Sequence, residues 1–239
     1  MPTQLAFIEA TPQDVASRLD GQTVHLWRIP YALSEGRAPL VALLAGYLGV
    51  SEGSVRLDQD ERGKPRLARD SSRTGDASRL EFNWSHSGDF ALVALARGCE
   101  LGVDIERFGK NQRSLEIARR FFDSEEADAL APLDTDTRDR AFIKLWCAKE
   151  AVLKAVGEGL SFGLARLAFT RRVDTDWILT RVDPMLGDVN DWQLTGFEAA
   201  SDYRGALAWR GDPRAITAFR LDRQHLLNHA GVPRNSGAG

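Results

Sequence analysis

Apolar and polar residues alternate over the segment LGVDIE, residues 101–106. A period of two is typical of a β-strand, and it places Asp104 and Glu106 on the same face. Two carboxylates on one face repel each other, so a bound cation is one explanation of the pattern. A half-buried strand whose polar side simply faces water is the other. Oxygen ligands alone favour magnesium, manganese or calcium over zinc.

A second pattern covers residues 137–156, where apolar residues recur at helical spacing and predict a long helix. Glycines at positions 157 and 159 follow it, as expected beyond a helix C-terminus. Glu150 and Lys154 are four residues apart and share one face, whereas Lys149 points about 100° away from Glu150. Taken alone, the first pair could be a surface ion pair worth about 0.3–0.5 kcal/mol, and Lys149 could be solubilising charge.

The rest of the chain reads as two similar halves of helices and short strands, and the second half opens with the acidic strand. Strands are predicted near Thr23–Ile29, Leu80–Trp84, Phe90–Ala96, Leu167–Thr170, Trp177–Val182, Trp192–Ala199, Gly205–Trp209 and Ile216–Leu221. Helices are predicted near Ala38–Leu48, 112–122 and 125–131, with Ser124 as the N-cap of the last. Polar residues 69–79 predict an exposed loop, and residues 229–239 predict a disordered tail.

Composition removes several classes of function. With 239 residues and 43% apolar content, the chain can bury a substantial core. A net charge of −3 without a basic patch argues against a nucleic-acid partner. No apolar run approaches the roughly 18 residues of a membrane span, and residues 1–14 lack the layout of a signal peptide. Two cysteines form no disulfide framework or zinc motif, which favours a cytoplasmic location.

Five short motifs stand in a fixed order. GVDIE at residues 102–106 precedes WCAKEAVLK at residues 146–154, with 41 residues between Asp104 and Trp146. RRFFDSEE lies between them at residues 119–126, and GKP (63–65) and NWSHS (83–87) precede them. The set resembles the signature of the 4′-phosphopantetheinyl transferases over roughly residues 20–160. Each motif is weak by itself, but their order and spacing make the resemblance specific.

The resemblance implies an α+β fold in which two similar subdomains, related by a pseudo-twofold axis, each pack a helix on a small antiparallel sheet. Residues 1–99 would form the first subdomain and residues 100–228 the second, with the active site in the cleft between them. A chain with both halves resembles the long, monomeric subclass of the family rather than the short trimeric synthases.

The resemblance also implies a reaction. Family members transfer the phosphopantetheine arm of coenzyme A to a serine of an acyl, peptidyl or aryl carrier protein, and adenosine 3′,5′-bisphosphate is released. Asp104, Glu106 and Glu150 would hold magnesium, or manganese, and Lys154 with Lys149 would add positive charge at the phosphates. Glu150 is the candidate base; because a carboxylate bound to metal is a weak base, Asp104 or a metal-bound water stays an alternative.

Coenzyme A carries further phosphates that need cations and hydrogen-bond donors. Ser85 and His86 match family residues that meet these phosphates, and Lys64 with Arg66 would meet the nucleotide end. The chain departs from the family in its first helical stretch, where Leu33–Leu48 contains only Arg37 although relatives usually have two or more arginines. Arg37 is therefore the candidate for the 3′-phosphate, with Arg28 as an alternative.

Two other functions compete with the transferase interpretation. A different magnesium-dependent enzyme acting on a phosphate ester would keep the three carboxylates but has no particular need for NWSHS or GKP. A Walker-type GxxxxGK[ST] segment is absent from the sequence, which argues against the commonest nucleotide hydrolases. A non-enzymatic binding module is the other alternative, and in it the acidic pairs would be solvated surface.

Overall fold

The structure is a computed structural model that describes residues 4–68, 79–109, 113–172 and 177–221. In the first half, the chain forms β1 (Ile8–Glu9), α1 (Pro12–Val15), β2 (Thr23–Pro30), α2 (Ala38–Leu48), β3 (Leu57–Gln59), β4 (Pro65–Leu67), β5 (Leu80–Ser87) and β6 (Phe90–Arg97). The short elements β1, α1, β3 and β4 were not anticipated from the sequence, because runs of two to four residues show no readable period.

The second half begins with the predicted acidic strand and carries the long predicted helix. Its elements are β7 (Leu101–Arg107), α3 (Ser114–Phe121), α4 (Ser124–Leu130), α5 (Thr135–Ala155), β8 (Ala168–Arg171), β9 (Trp177–Arg181), β10 (Trp192–Ala200), β11 (Tyr203–Arg210) and β12 (Ala215–Arg220). The N-cap of α4 is Asp123 rather than Ser124: its side chain accepts from the Glu125 amide at 3.0 Å. Asp and Ser are similarly good N-caps, so the sequence alone did not decide between the neighbours.

The two halves repeat one topology, which confirms the α+β fold. In the first half β2 pairs antiparallel with β6, which pairs with β5; in the second half β7 pairs with β11, which pairs with β10. In each half, helices and a small two-stranded sheet, β3–β4 or β8–β9, separate the first strand from the following hairpin. The similarity of the halves lies in this order of elements rather than in repeated sequence.

The last described strand crosses back to the other half. β12 pairs in parallel with β2, and β1 pairs in parallel with β12, so the five-stranded sheet has the order β1-β12-β2-β6-β5 and is mixed rather than purely antiparallel. The predicted division at residues 99 and 100 had placed β12 with the second half. The predicted loop, apart from Arg79, and the predicted tail lie outside the described residues.

Three apolar clusters hold these layers together. One lies between α2 and the five-stranded sheet, and a second surrounds α5. A third fills the space between the two main sheets and includes Val103, Ile105 and Leu92. The alternating residues of β7 thus bury their apolar side between the sheets, which leaves the acidic side facing α5 and the join between the halves. None of the helices in the described ranges is long and apolar enough to cross a membrane.

Candidate active site

The two halves meet along β5 and β7, and side chains rather than backbone bonds join these strands. Asn83, Ser85 and Ser87 alternate along β5 and therefore share a face. The amide of Val103 donates to Oδ1 of Asn83 at 2.9 Å, Ser85 Oγ donates to an oxygen of Asp104 at 2.8 Å, and Ser87 Oγ donates to one of Glu106 at 2.9 Å. The first half thus orients both carboxylates of the second.

A glycine allows α5 to approach this strand closely. A Cβ atom on Gly102 would lie 2.1 Å from the carbonyl oxygen of Ala151 and 2.3 Å from the amide nitrogen of Ala155. Both are backbone atoms of α5, so no side-chain rotation could relieve the contact. The glycine of the GVDIE motif is therefore needed for the packing that brings Lys154 next to Asp104.

Asp104, Ser85 and Lys154 form a closed set of hydrogen bonds at this point. Lys154 Nζ donates to Asp104 Oδ1 at 2.6 Å and to Ser85 Oγ at 2.9 Å. Asp104 is only 3% exposed, whereas the Lys154 side chain is 27% exposed and reaches the surface. Burial lowers the pKa of Lys154, but the adjacent Asp104 carboxylate outweighs it and the net pKa is raised. The ammonium stays charged and has one side open towards solvent.

The three predicted metal ligands interact strongly as charges. Burial raises the pKa of Glu150 to about 7; Lys154 opposes this shift, while Asp104 and Glu106 add to it. Burial and the charge of Asp104 also raise the pKa of Glu106, against the hydrogen bond from Ser87. A carboxyl group with a pKa near 7 is suited to accept a proton at neutral pH.

These carboxylates also have unused capacity to bind a ligand. Oδ2 of Asp104 and Oε1 of Glu150 are buried and have no hydrogen-bond partner. An unsatisfied buried carboxylate oxygen is costly, and all-oxygen donor sets suit magnesium or manganese. Within the described residues, no three His, Cys, Asp or Glu side chains are arranged to hold a metal ion as they stand. The donor chemistry therefore fits a divalent cation, although the full ligand set is not already assembled.

Lys149, predicted to bind coenzyme A phosphate, lies elsewhere. Its side chain is fully buried and its Nζ lies 2.8 Å from Glu126 of α4. The same ammonium donates to the carbonyl oxygens of Leu164 and Leu167 at 2.9 and 2.6 Å. Its position on α5, about 100° from Glu150, directs it into the second-half core instead of the join. This placement does not support contact between Lys149 and coenzyme A.

Lys64 and Arg66 lie at the C-terminal end of α5. Lys64 Nζ donates to the carbonyl oxygens of Lys154 and Ala155 at 2.7 and 3.1 Å, and burial lowers its pKa. Arg66 contacts Asp60 at 3.3 Å and Glu100 at 2.5 Å. Both cations thus bind groups of the protein itself, and their predicted contact with the nucleotide stays a prediction.

The remaining predicted contacts lie near the surface of the first half. His86 is exposed, with its ring stacked on Tyr31 at 4.6 Å; partial burial and the charge of Lys154 lower its pKa. Arg37 is exposed at the N-terminal end of α2. The alternative, Arg28, donates to the carbonyl of Ala199 and lies over the rings of Phe7 and Phe90.

Two residues of the site were not predicted as such. Ser87 contacts Glu106, and Asn83 binds the backbone of β7, although both had been noted only as parts of a motif. A signal for both exists in the sequence, because they share the strand face of Ser85 at a period of two.

Comparison with known proteins agrees with this geometry. A family profile described as "4'-phosphopantetheinyl transferase superfamily" matches residues 100–208, and one described as "4'-phosphopantetheinyl transferase, N-terminal" matches residues 33–97. The "Putative 4'-phosphopantetheinyl transferase slr0495" of Synechocystis is 33% identical over 181 residues, which cover 72% of this chain and 69% of the relative. The chain belongs to the 4′-phosphopantetheinyl transferase superfamily. The resemblance found in its motifs is thereby confirmed.

Other members of the superfamily match over shorter stretches. The "4'-phosphopantetheinyl transferase HetI" of Nostoc is 37% identical over 126 residues, 53% of this chain and 52% of that protein. The human "L-aminoadipate-semialdehyde dehydrogenase-phosphopantetheinyl transferase" is 33% identical over 144 residues, 58% of this chain and 46% of that protein. The chain thus spans about half the length of these two relatives, against about two thirds of the Synechocystis protein.

Proposed function

We propose that this protein transfers the phosphopantetheine arm of coenzyme A to a serine hydroxyl of an acyl, peptidyl or aryl carrier protein. The observation that supports this most strongly is the join between the halves, where Lys154 and three carboxylates, Asp104, Glu106 and Glu150, interact at a partly open position. Membership of the superfamily supports the same reaction. A phosphate-ester enzyme of another class would keep the three carboxylates but has no particular need for the NWSHS and GKP motifs.

The residues of the site suit the requirements of that reaction. Lys154 would neutralise charge on the pyrophosphate, because its ammonium is held by Asp104 and Ser85 but keeps an open side. Glu150 would accept the serine proton, since its pKa of about 7 makes it a base of suitable strength near neutral pH. His86, exposed beside Lys154, would donate to a phosphate of coenzyme A, and Arg37 would contact its 3′-phosphate.

Magnesium or manganese would be held by Asp104, Glu106 and Glu150, with the unpartnered Oδ2 of Asp104 and Oε1 of Glu150 as available ligands. When bound, a divalent cation supplies positive charge to the phosphate oxygens. With the cation bound, Glu150 would be a weaker base, and Asp104 stays the alternative proton acceptor among the residues of this chain.

The proposed site combines Ser85 from the first half with Asp104 and Lys154 from the second, so a single chain would supply all of these residues. This supports action as a monomer of the long subclass. A cytoplasmic location is proposed from the composition, together with carrier proteins and coenzyme A as the partners and neither nucleic acid nor membrane.

The test is intact-mass spectrometry of apo carrier proteins incubated with this protein, coenzyme A and magnesium, with and without EDTA. We expect the carrier to gain about 340 Da, the mass of one phosphopantetheine arm, and the gain to disappear on chelation. A mass gain that survives chelation would contradict the metal assignment. Absence of a gain across acyl, peptidyl and aryl carriers, together with no coenzyme A binding by calorimetry, would contradict the proposed reaction.

A further inference from the structure

The β3–β4 hairpin of the first half lies on the C-terminal end of α5, the helix that carries Glu150 and Lys154. Lys64 Nζ is 2.7 Å from the carbonyl oxygen of Lys154 and 3.1 Å from that of Ala155. These are among the last carbonyls of α5, where regular helical bonding ends; that of Lys154 also accepts from the Gly157 amide at 3.3 Å. A cation at this end interacts favourably with the helix dipole. A residue 90 positions earlier thus completes the end of the candidate catalytic helix.

The hairpin is built to present this lysine. Oδ1 of Asp60 accepts from the amides of Arg62 and Lys64 at 3.1 and 2.9 Å, and Gly63 turns the chain with φ at +86°. Oδ2 of Asp60 contacts Arg66 at 3.3 Å, and Arg66 also contacts Glu100 just before β7. The turn is therefore anchored to the residue that immediately precedes the strand carrying Asp104.

The fit to the helix end is close. A Cβ atom on Gly157, which has φ at +72°, would lie 3.3 Å from Oδ2 of Asp60 and 3.6 Å from Cδ of Lys64. Arg62 of the turn forms an ion pair with Glu158, the residue that follows Gly157. Contact between the turn and the segment after α5 is thus continuous and not limited to one hydrogen bond.

We infer that Lys64 is a positioning residue that holds the last turn of α5 and so sets where the Lys154 ammonium meets Asp104 and the substrate phosphate. The inference rests on the proposed transfer reaction and assigns Lys64 a role different from direct contact with coenzyme A. The carbonyl of Lys154 is bound by Lys64 while its side chain is bound by Asp104, so one residue of α5 is held from both sides. A small displacement of the Lys154 ammonium would slow a reaction that depends on the position of this charge.

Steady-state kinetics of Lys64→Met separates the two roles. The substitution keeps the length of the side chain and removes the ammonium. The control is Arg56→Met, because Arg56 immediately precedes β3 and its guanidinium donates to the carbonyl of Gly53. For a positioning residue we expect kcat to fall about tenfold with KM for coenzyme A nearly unchanged, and Lys64→Arg to recover most of the loss. A rise in KM for coenzyme A with kcat retained would overturn the inference.

A double substitution makes the test stricter. If Lys64 acts through Lys154, adding Lys64→Met to Lys154→Ala should cost less than about twofold more, since the group being positioned is already gone. A direct phosphate ligand would show its full loss in both backgrounds, and that result would overturn the inference.

Hydrogen exchange tests the same idea without any turnover. In Lys64→Met, amides of residues 151–156 should exchange about tenfold faster, while those of α2 keep their protection. If the unmodified protein transfers no phosphopantetheine yet shows this change on substitution, the proposed function fails and the contact with α5 stands. If transfer is intact and neither exchange nor kcat changes, the positioning role is wrong.

Discussion

The ammonium of Lys154 lies 2.6 Å from Oδ1 of Asp104, while the other oxygen of that carboxylate is buried without a partner. One lysine therefore neutralises only part of an acidic group that also includes Glu106 and Glu150. Such incomplete compensation is unfavourable in a folded protein that binds nothing there. It is expected of a site whose remaining charge is balanced by a ligand.

Asp104→Ala should reduce phosphopantetheine transfer by at least about a hundredfold, because it removes a candidate metal ligand and the partner that fixes Lys154. Circular dichroism should show the fold retained. The matched control is Asp58→Ala, which removes an exposed carboxylate of β3 and should leave transfer unchanged. The carrier mass assay measures both variants. Full activity of Asp104→Ala would contradict the assignment of the site.

Glu150→Gln should abolish most transfer and yet increase stability at alkaline pH. The pKa of Glu150 is raised to about 7 from an ordinary 4.5, so the unfolded chain releases this proton at lower pH than the folded protein does. Stability is consequently lost as pH rises through this window, by up to about 3 kcal/mol above pH 7, and the glutamine variant lacks that loss.

Urea denaturation at pH 5 and pH 8 in EDTA measures this difference in the free energy of unfolding. The gap between Glu150→Gln and the unmodified protein should widen at the higher pH. Glu125→Gln, at an exposed position on α4, should show no such widening. An equal gap at both pH values would mean that burial does not raise the pKa of Glu150 to about 7.

Lys149→Met should lower stability by about 3–5 kcal/mol, because it leaves the buried carboxylate of Glu126 without its cation. The effect should appear in urea denaturation, whereas the affinity of the folded fraction for coenzyme A should stay close to normal. Arg140→Met, which breaks an exposed pair on the same helix, should cost less than about 1 kcal/mol. A stable Lys149→Met protein with weak coenzyme A binding would instead restore the role that the sequence predicted.

Gly102→Ala should destabilise the protein by about 2 kcal/mol or more and reduce transfer, since its Cβ would meet the backbone of α5 at 2.1 Å. Separating β7 from α5 also moves Asp104 away from Lys154. Gly53→Ala is the control, because nothing lies within 4 Å of a Cβ there. Thermal denaturation and the carrier assay together check the prediction, which an unchanged melting temperature would contradict.

The buried residue His25 predicts that the protein loses stability in acid for a reason independent of the candidate active site. The indole of Trp27 donates to the Tyr47 hydroxyl at 2.8 Å, and the same hydroxyl is hydrogen-bonded to Nδ1 of His25 at 2.7 Å. Burial lowers the pKa of His25 to about 4 from an ordinary 6.5; Asp20 opposes this shift, and Arg18 and Arg97 add to it. The folded protein therefore favours the neutral form of the His25 ring.

Because the unfolded chain binds this proton at higher pH than the folded protein, His25 contributes stability that is present above pH 6.5. That contribution, on the order of 3 kcal/mol, is lost as pH falls through about 4. Urea denaturation between pH 7 and pH 4.5 measures how the free energy of unfolding falls with pH. We expect it to fall less steeply for His25→Gln than for the unmodified protein. Identical declines would exclude His25 as the source.

The sequence alone determined the local elements and the family. Strand alternation at residues 101–106 and helical spacing at residues 137–156 are set by local periodicity, and both elements formed where predicted. It also identified Asp104, Glu150 and Lys154 as one group, because the motifs that contain them keep their order and spacing. Short elements such as β3 and β4 gave no comparable signal.

Only the tertiary structure decided which partner each charged residue meets. Lys149 and Lys154 lie five residues apart in one motif, yet one pairs with Glu126 in the core and the other with Asp104 at the join. Lys64 reaches a helix end 90 residues away, and β12 returns to pair with β2. Periodicity states which residues share a face, but the neighbour that face meets depends on how distant elements pack.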